Sequence, residues 1–327
     1  MVRDIMLVIL FTEDFKVYKR SIAFILCVAV GIMLMNRLLE HPLRPINTDT
    51  TVNSVNSFDA FSDNSLELIV YGSSHAWCGI DTGMLYEEYG IEGYNYGCAW
   101  QHVNTTQLFL DDSFISQNPK VVVFETDMLE ALLTDTDMCG EIYYSKNVGT
   151  LDAKWKYLRQ CFGNKAFRYI GYILPTIVFH ENWKELSEES FMNNSNTHDF
   201  VASRGYLGSD SNERANIGRY EEFSQEDIPN EIFLIFDEMV QMCKQRGIEV
   251  VLCTLPYEGE YKYAEFVEAY AKENGLKYIN CFEKYEELQI DSNSDFRDSG
   301  HLNDNGARKI TADLGKYLSE ECGLGAK

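Results

Sequence analysis

The segment LELIVYGSSH, residues 66–75, combines a strand pattern with two adjacent hydroxyl groups. Its first six residues form a short apolar run that ends at Gly72, as expected of a strand that is buried in a parallel sheet and leads into a loop. Ser73 and Ser74 follow at once, so Ser74 should lie just beyond the carboxyl end of the strand. Functional loops gather at that edge of a parallel sheet.

Strand patterns and helix patterns alternate along the rest of the chain. Residues 230–246 repeat apolar side chains at helical spacing, for example, and the apolar run EVVLCT follows at 249–254. This alternation predicts an α/β fold: a doubly wound, flavodoxin-like parallel sheet of about five strands with helices on both faces. The other predicted strands lie near Tyr94 and at Lys120–Glu125 and Lys277–Asn280, and the other predicted helices at Thr82–Tyr89, Gln101–Ile115, Tyr263–Asn274 and Asn305–Ser319.

Residues 130–225 break this alternation. The part from Ala153 to Glu189 contains a helical pattern, Pro175 and the aromatic sequence FHENW at 179–183, and it resembles an inserted helical cap. Two interpretations stay open. Either the cap shapes a substrate groove, or the segment is ordinary peripheral packing.

An uncharged, mostly apolar run, SIAFILCVAVGIMLM, occupies residues 21–35 and reaches Leu39 if Asn36 and Arg37 sit at an interface. It predicts a transmembrane anchor over residues 21–39, although the uncharged run is shorter than the roughly 20 residues of a full span. A cleaved signal peptide and a buried core helix are the rival interpretations.

Basic residues flank this run on both sides. Lys16, Lys19 and Arg20 precede it, whereas Arg37 and Arg44 follow it. This weak bias predicts a single-pass membrane protein with a cytoplasmic N-terminus, so that the bulk of the chain is extracytoplasmic.

The domain organisation follows from these segments. We expect a short cytoplasmic tail over residues 1–20, the anchor over 21–39, a polar linker over 40–64 and one main domain over 65–325. The linker prediction rests on the sequence NTDTTVNSVNSFDAFSDN at 47–64, which has few large apolar residues and is typical of a solvated tether.

Composition excludes several classes of function. The formal net charge of −23 makes the surface repel phosphate backbones, so nucleic acid is not an expected partner. The nine cysteines form no C-x-x-C pair and the six histidines are dispersed, so no metal is expected. Glycines 72, 79 and 83 match neither a Rossmann fingerprint nor a P-loop, and we expect no cofactor.

Near the C-terminus the chain reads DSGHLN at 298–303, between the last predicted strand and the last predicted helix. A serine hydroxyl is a poor nucleophile unless an imidazole takes its proton and a carboxylate orients that imidazole. Asp298 and His301, three residues apart, can supply both groups. Together with Ser74 they predict acyl-transfer chemistry.

These motifs resemble the SGNH (GDSL-type) hydrolase superfamily over about residues 64–322. Ser74 matches the family's nucleophile, with Ser73 in place of the usual Asp, and Asp298 and His301 match its last block. The sequence Asn95-Tyr96-Gly97 matches the opening of the second block. The resemblance implies a doubly wound fold and catalysis by Ser74, Asp298 and His301.

Two departures from the family pattern affect the oxyanion site. Trp100 stands where the second block usually has a donating Gly, so the backbone N–H of Gly97 or Trp100 is expected to serve beside that of Ser74. The third block reads Glu125-Thr126-Asp127 and lacks the usual Asn, whose loss costs on the order of 100 to 1,000-fold in rate. The predicted oxyanion and substrate-binding set is Gly97, Trp100, Asn95 and His75.

This variant pattern is more like the membrane-tethered branch that includes the D-alanyl transfer protein of lipoteichoic acid synthesis and alginate acetylation proteins. That likeness implies an O-acyltransferase or esterase that acts on an acylated glycan or acyl donor of the cell envelope, beside a membrane-bound O-acyltransferase partner. A non-catalytic SGNH-like partner protein and a soluble cytoplasmic esterase are the alternatives.

Two residue assignments stay open. Ser73 is the alternative nucleophile, since both hydroxyls lie at the strand exit. His75 is either a capping or structural residue or a substrate contact.

Overall fold

The computed structural model describes residues 2–43, 48–132, 145–146, 148–186, 188–191, 198–217, 225–259 and 261–325. The chain divides into an anchor unit, residues 1–46 and 166–194, and a sheet unit, residues 47–165 and 195–327. The α-helices are α1 Val2–Leu43, α2 Thr48–Ser57, α3 Ser74–Gly79, α4 Thr82–Tyr89, α5 Val103–Ser116, α6 Leu151–Phe162, α7 Ala166–Ile173, α8 Thr176–Phe179, α9 Glu188–Phe191, α10 Asn230–Gln245, α11 Ala264–Asn274 and α12 Asp304–Glu320.

The sheet unit contains a five-stranded parallel sheet in the order β2-β1-β3-β4-β5. Helices α3, α4 and α12 pack together in one layer, and α5, α10 and α11 in the other. The predicted doubly wound α/β fold is therefore confirmed. The strands are β1 Leu68–Tyr71, β2 Gly93–Asn95, β3 Val121–Glu125, β4 Glu249–Thr254 and β5 Lys277–Asn280.

Strand β1 is buried along its whole length, and its side chains alternate between two apolar layers. Val70 belongs to the same hydrophobic cluster as Leu314 of α12. Tyr71 faces the opposite layer, where its ring centroid lies 5.7 Å from that of Phe124, which in turn is 6.5 Å from that of Phe236. Burial on both faces explains why the strand reads as a continuous apolar run.

The polar stretch before β1 is folded, so the predicted tether over 40–64 is wrong for residues 48–60. Helix α2 buries Thr51 and Val55, and Phe58 follows in a short 3-10 helix. The ring of Phe58 stacks on Tyr96 with a centroid distance of 4.4 Å and an interplanar angle of 7°. This aromatic contact anchors a segment whose composition is otherwise polar.

The predicted insertion over 130–225 contributes to both units. Helix α6 packs on α5, and the Nδ2 of Asn104 donates to the Sγ of Cys161 at 3.5 Å. Residues 198–217 also belong to the sheet unit, and the carbonyl of Arg204 accepts a hydrogen bond from the N–H of Asn95 at 2.8 Å. Helices α7 to α9 belong to the anchor unit instead. Residues 133–144, 192–197 and 218–224 of the insertion lie outside the described residues.

The anchor unit is built on α1, which contains the predicted anchor. Its most apolar part, Val17–Glu40, has 24 residues and contains an 18-residue window with a mean hydropathy of 2.3 that is almost entirely exposed. This segment is long and apolar enough to cross a bilayer, and a signal sequence near the N-terminus would have the same properties.

Phe236→Ala should lower the free energy of unfolding by about 3–5 kcal/mol, because it leaves a cavity between α10 and the sheet. Leu234→Ala, on the exposed face of the same helix, is the matched control and should change it by less than about 0.5 kcal/mol. Chemical denaturation followed by circular dichroism measures both. Equal effects of the two variants would contradict the packing of α10.

Candidate active site

Ser74 is the first residue of α3 and lies just beyond the carboxyl end of β1. Ser73 is the N-cap of this helix, since its Oγ accepts a hydrogen bond from the backbone N–H of His75 at 3.1 Å. Gly72 permits the close turn, because a Cβ there would lie 2.6 Å from the Cβ of Glu125. The sharp strand-to-helix turn exposes the Ser74 hydroxyl at the edge of the sheet.

The structure brings Ser74, His301 and Asp298 into one hydrogen-bonded chain. The Nε2 of His301 lies 2.7 Å from the Oγ of Ser74, and its Nδ1 lies 2.7 Å from the Oδ1 of Asp298. An ionised carboxylate can only accept, so Nδ1 carries the proton and donates to Asp298. Nε2 is then free to accept the proton of the Ser74 hydroxyl.

A tight turn just before α12 holds the Asp298 and His301 side chains. The N–H of Arg297 donates to the carbonyl of His301 at 3.0 Å, and the N–H of Gly300 donates to the Oδ1 of Asp298 at 2.8 Å. Asn303 ends the turn and caps α12. Asp298 and His301 are therefore three residues apart because one closed turn connects them, and this turn brings their side chains into hydrogen-bond contact.

The ionisation of the pair favours a neutral base. Burial lowers the pKa of the His301 imidazole below its ordinary value, and the hydrogen bond to Asp298 offsets this only in part. Burial raises the pKa of the Asp298 carboxyl, but the hydrogen bonds from His301 and Gly300 outweigh it, so that the net shift is downward. At neutral pH the imidazole is uncharged and the carboxyl is ionised.

Ser73 is bound on the other side of the turn, so the structure gives no support to Ser73 as the nucleophile. Its N–H and Oγ both donate to the Oε2 of Glu125, at 3.3 and 3.2 Å. Glu125 ends β3, is fully buried and also accepts from the N–H of Asp127 at 2.9 Å. Burial, and then the nearby charge of Asp127, raise the pKa of the Glu125 carboxyl well above its ordinary value.

Asn95 and Gly97 do not serve as the predicted oxyanion donors. The buried side chain of Asn95 donates to the carbonyls of Ala76 and Ile80, both at 2.8 Å, and its Oδ1 accepts from the N–H of Gly97 at 3.0 Å. Asn95 therefore binds the carbonyl of Ile80, the C-cap of α3, and adds a second bond to the carbonyl of Ala76, which also accepts from the N–H of Ile80. It also occupies the N–H of Gly97.

Trp100 remains the candidate donor of the second block. Its backbone N–H makes no hydrogen bond to any described residue, and its φ of 55° is unusual for a bulky side chain. The ring is 65% exposed. The N–H of Ser74 is the other candidate donor, because the first turn of a helix leaves its N–H groups without intrahelical partners.

His75 packs beside the hydrogen-bonded chain and does not join it. Its ring stacks on Tyr257 with a centroid distance of 4.4 Å, and lies edge-on to His301 at 5.5 Å. The Nδ1 of His75 is 3.4 Å from the Oδ2 of Asp127, and the two atoms are not aligned as a hydrogen bond. The His75 ring thus lines the site next to His301.

One group of side chains near the nucleophile could hold a metal ion. Ligand atoms of His75, Glu125 and Asp127 lie within 4.8 Å of one another. Both carboxylate oxygens of Glu125 already accept hydrogen bonds, from Ser73 and from Asp127. This occupancy fits a structural role for Glu125 better than metal ligation.

Glu125 and Tyr257 are the site residues that the sequence did not identify by role. Glu125 was visible at the end of a predicted strand, and parallel pairing places that end beside the end of β1. The adjacency of β1 and β3 was the signal that could have found it. Tyr257 offers no such signal, because its contact with His75 depends on the loop after β4.

Comparison with known proteins finds no matching family model and no matching curated protein. Among solved structures, a GDSL-like lipase from Bacteroides thetaiotaomicron aligns at 12% identity and a TM-score of 0.38, over 84% of this chain and 98% of that one. A lipolytic protein assigned to the G-D-S-L family, from Desulfitobacterium hafniense, aligns at 12% and 0.39, over 77% and 99%. A protein assigned as an acylhydrolase, from Bacteroides fragilis, aligns at 13% and 0.38, over 81% and 94%. The likeness is loose in each case, because the TM-scores are below 0.5.

Proposed function

We propose that the protein is a serine-dependent acyl-ester enzyme of the SGNH type, an esterase or O-acyltransferase. The observation that carries the proposal is the continuous hydrogen-bonded chain from Asp298 through His301 to Ser74, with both links at 2.7 Å. A nucleophile, a base and a residue that orients the base are the parts that acyl transfer requires.

The geometry supports a two-step mechanism. The Oγ of Ser74 attacks the acyl carbonyl while the Nε2 of His301 takes the hydroxyl proton, and Asp298 stabilises the imidazolium that forms. Collapse of the tetrahedral intermediate breaks the bond to the leaving group, which receives the proton from His301. Water or an acceptor hydroxyl then gives its proton to His301 and attacks the acyl-serine. The bond between the acyl carbon and the Oγ of Ser74 breaks, Oγ takes the proton from His301, and an acid or a new ester is released.

Two backbone N–H groups are the candidates for oxyanion binding, those of Ser74 and Trp100. The N–H of Gly97 is held by Asn95, and the third block, Glu125-Thr126-Asp127, contains no Asn that could donate. A site with one donor fewer is slower by about 100 to 1,000-fold. Activated acyl donors are therefore better substrates for this site than simple alkyl esters.

An envelope glycan is the proposed acceptor, and Trp100 supports it. A flat ring that is 65% exposed cannot by itself enclose an acyl chain, which needs a concave apolar pocket. It can pack against the C–H face of a sugar ring while the sugar hydroxyls stay in water. We therefore assign the Trp100 ring to acceptor binding. In the same proposal α1 spans the membrane with its N-terminus in the cytoplasm, and the sheet unit is extracytoplasmic. The proposed partner is a membrane-bound O-acyltransferase.

A non-catalytic partner protein with the same fold is the second candidate. The observation that favours it is the loss of donors, since Asn95 occupies the Gly97 N–H and the third block lacks Asn. The two candidates differ in whether the Ser74 hydroxyl is activated. A fluorophosphonate probe distinguishes them, because it reacts only with an activated serine.

Ser74→Ala should abolish fluorophosphonate labelling and lower hydrolysis of an activated acetyl ester by at least about 1,000-fold, because the nucleophile is lost. Ser73→Ala is the matched control and should still be labelled, since the Ser73 hydroxyl is bonded to Glu125 and not to His301. Labelling and release of the chromophore measure both. Unchanged reaction of Ser74→Ala would contradict the mechanism, and an unlabelled parent protein would favour the non-catalytic candidate.

The pH profile of kcat/KM should rise from the acid side with an apparent pKa below about 6.5, the ordinary value of His. The base must be neutral, and burial lowers the pKa of His301, so the neutral form persists to lower pH. Asp298→Asn should lower the plateau by about 10,000-fold, because an amide does not hold the required tautomer. If the acid limb of the parent protein has an apparent pKa above about 6.5, His301 is not a base whose pKa is lowered by burial.

Trp100→Gly should be more stable than Trp100→Ala by about 1–2 kcal/mol, because only glycine adopts the left-handed conformation without a Cβ clash. Both variants keep the backbone N–H, so hydrolysis of a small activated ester should be unchanged, while acyl transfer to a saccharide acceptor falls. Gln289 has a φ of 54° and supplies the control. Gln289→Gly should also be more stable than Gln289→Ala by about 1–2 kcal/mol, and neither variant should change acyl transfer. If both Trp100 variants transfer the acyl group at the parent rate, the assignment of the ring to acceptor binding is wrong.

A further inference from the structure

A second apolar segment lies in the anchor unit, far from α1 in sequence. Residues 166–179 read AFRYIGYILPTIVF and contain one charged side chain, Arg168, in a chain with a net charge of −23. Pro175 separates the helices α7 and α8 within it. A run of this length is too short to span a bilayer, but it is typical of a segment that lies in the membrane interface.

Large apolar side chains of this segment are exposed, and three of them form a stripe on α7. Phe167, Ile170 and Ile173 are 65%, 47% and 69% exposed, and their three-residue spacing places them on one helix face. Ile177 in α8 and Trp183 in the following 3-10 helix are exposed as well. Single exposed apolar residues are ordinary, but a continuous stripe marks a surface that contacts something apolar.

Hydrogen bonds fix the depth of this segment along α1. The Oδ1 of Asn36 accepts from both the N–H and the Oγ1 of Thr176, at 3.2 and 2.9 Å, and the Nδ2 of Asn182 donates to the carbonyl of Leu43 at 2.9 Å. Asn36 lies four residues before the end of the apolar part of α1 at Glu40, about 6 Å along the helix. The segment therefore straddles the end of the candidate span.

The backbone of the segment is suited to a place with little water. At the break before α8, the N–H of Leu174 donates to the carbonyl of Ile170, and the N–H of Ile177 donates to that of Leu174, at 2.8 and 2.9 Å. The carbonyl of Pro175 accepts from the next turn, from Val178 and Phe179. Backbone groups near lipid must find partners within the protein, and these do so despite the proline.

We propose that residues 166–183 form a second membrane contact that lies in the bilayer interface beside α1, with the Phe167, Ile173 and Trp183 side chains among the lipids. The inference rests on the proposed function in one respect, that α1 spans the membrane. Lipid is the occupant because hydrogen bonds hold the segment beside the end of the candidate span in α1, where Met35 and Leu38 are also exposed. A Trp at position 183, beyond the stripe, suits the level of the headgroups.

Lipid quenching of tryptophan fluorescence tests this in the full-length protein, reconstituted in vesicles of phosphatidylcholine with brominated acyl chains. Trp183→Phe should lose most of the quenching that the parent shows. Trp155→Phe is the matched control, since it removes an equally exposed indole from α6 in the sheet unit, and it should retain that quenching. The double variant Phe167→Ser/Ile173→Ser keeps Trp183 and should reduce its quenching. This variant tests whether the apolar side chains of α7 hold the segment against the lipids, without changing the fluorophore.

Carbonate extraction of the same vesicles separates the possible failures. A chain that stays in the pellet while Trp183→Phe is quenched as strongly as the parent overturns the second contact and leaves the anchor standing. Release of the chain into the supernatant overturns the anchor and this inference together. Retained labelling of Ser74 by a fluorophosphonate in either case leaves the proposed chemistry intact.

Discussion

The close approach of the Gly72 turn to Glu125 is the constraint on which the site depends. Parallel pairing sets Tyr71 opposite Phe124, so the chain leaves β1 directly beside the carboxyl end of β3. The space between them admits no Cβ at Gly72. Glu125 fills that space and binds both polar groups of Ser73. With Ser73 held, the next residue starts α3, and the Ser74 hydroxyl lies within hydrogen-bond distance of His301.

The same turn explains why the second block works as support. Helix α3 has only six residues, and Asn95 braces its C-terminal end by binding the carbonyls of Ala76 and of the C-cap residue Ile80. This holds the helix that carries Ser74, but it commits the Oδ1 of Asn95 to the N–H of Gly97. Asn95 thus holds the helix of the nucleophile in place, and the N–H of Gly97 is no longer available to the substrate.

Sequence patterns predicted the sheet and the meeting of Ser74 with His301 because both follow from local rules. An apolar run of strand length ends at a glycine, and strand ends share one edge, so residues 227 positions apart could be placed together. The fate of Asn95 and Gly97 could not be predicted, since it depends on which buried donor finds which acceptor. Phe58 shows the same limit: its stack on Tyr96 folds a stretch whose composition is that of a linker.

In the mechanism proposed above, the balance between the base and the oxyanion site decides which step limits the reaction. His301 is neutral and hydrogen-bonded to Ser74 before substrate binds, so deprotonation of the hydroxyl needs little reorganisation. Charge that develops on the carbonyl oxygen has fewer fixed donors to meet it. The barrier therefore lies mainly in forming the tetrahedral intermediate, and it falls when the acyl group is already activated. A donor-poor site of this kind suits an enzyme that takes its acyl group from a reactive carrier rather than from a stable ester.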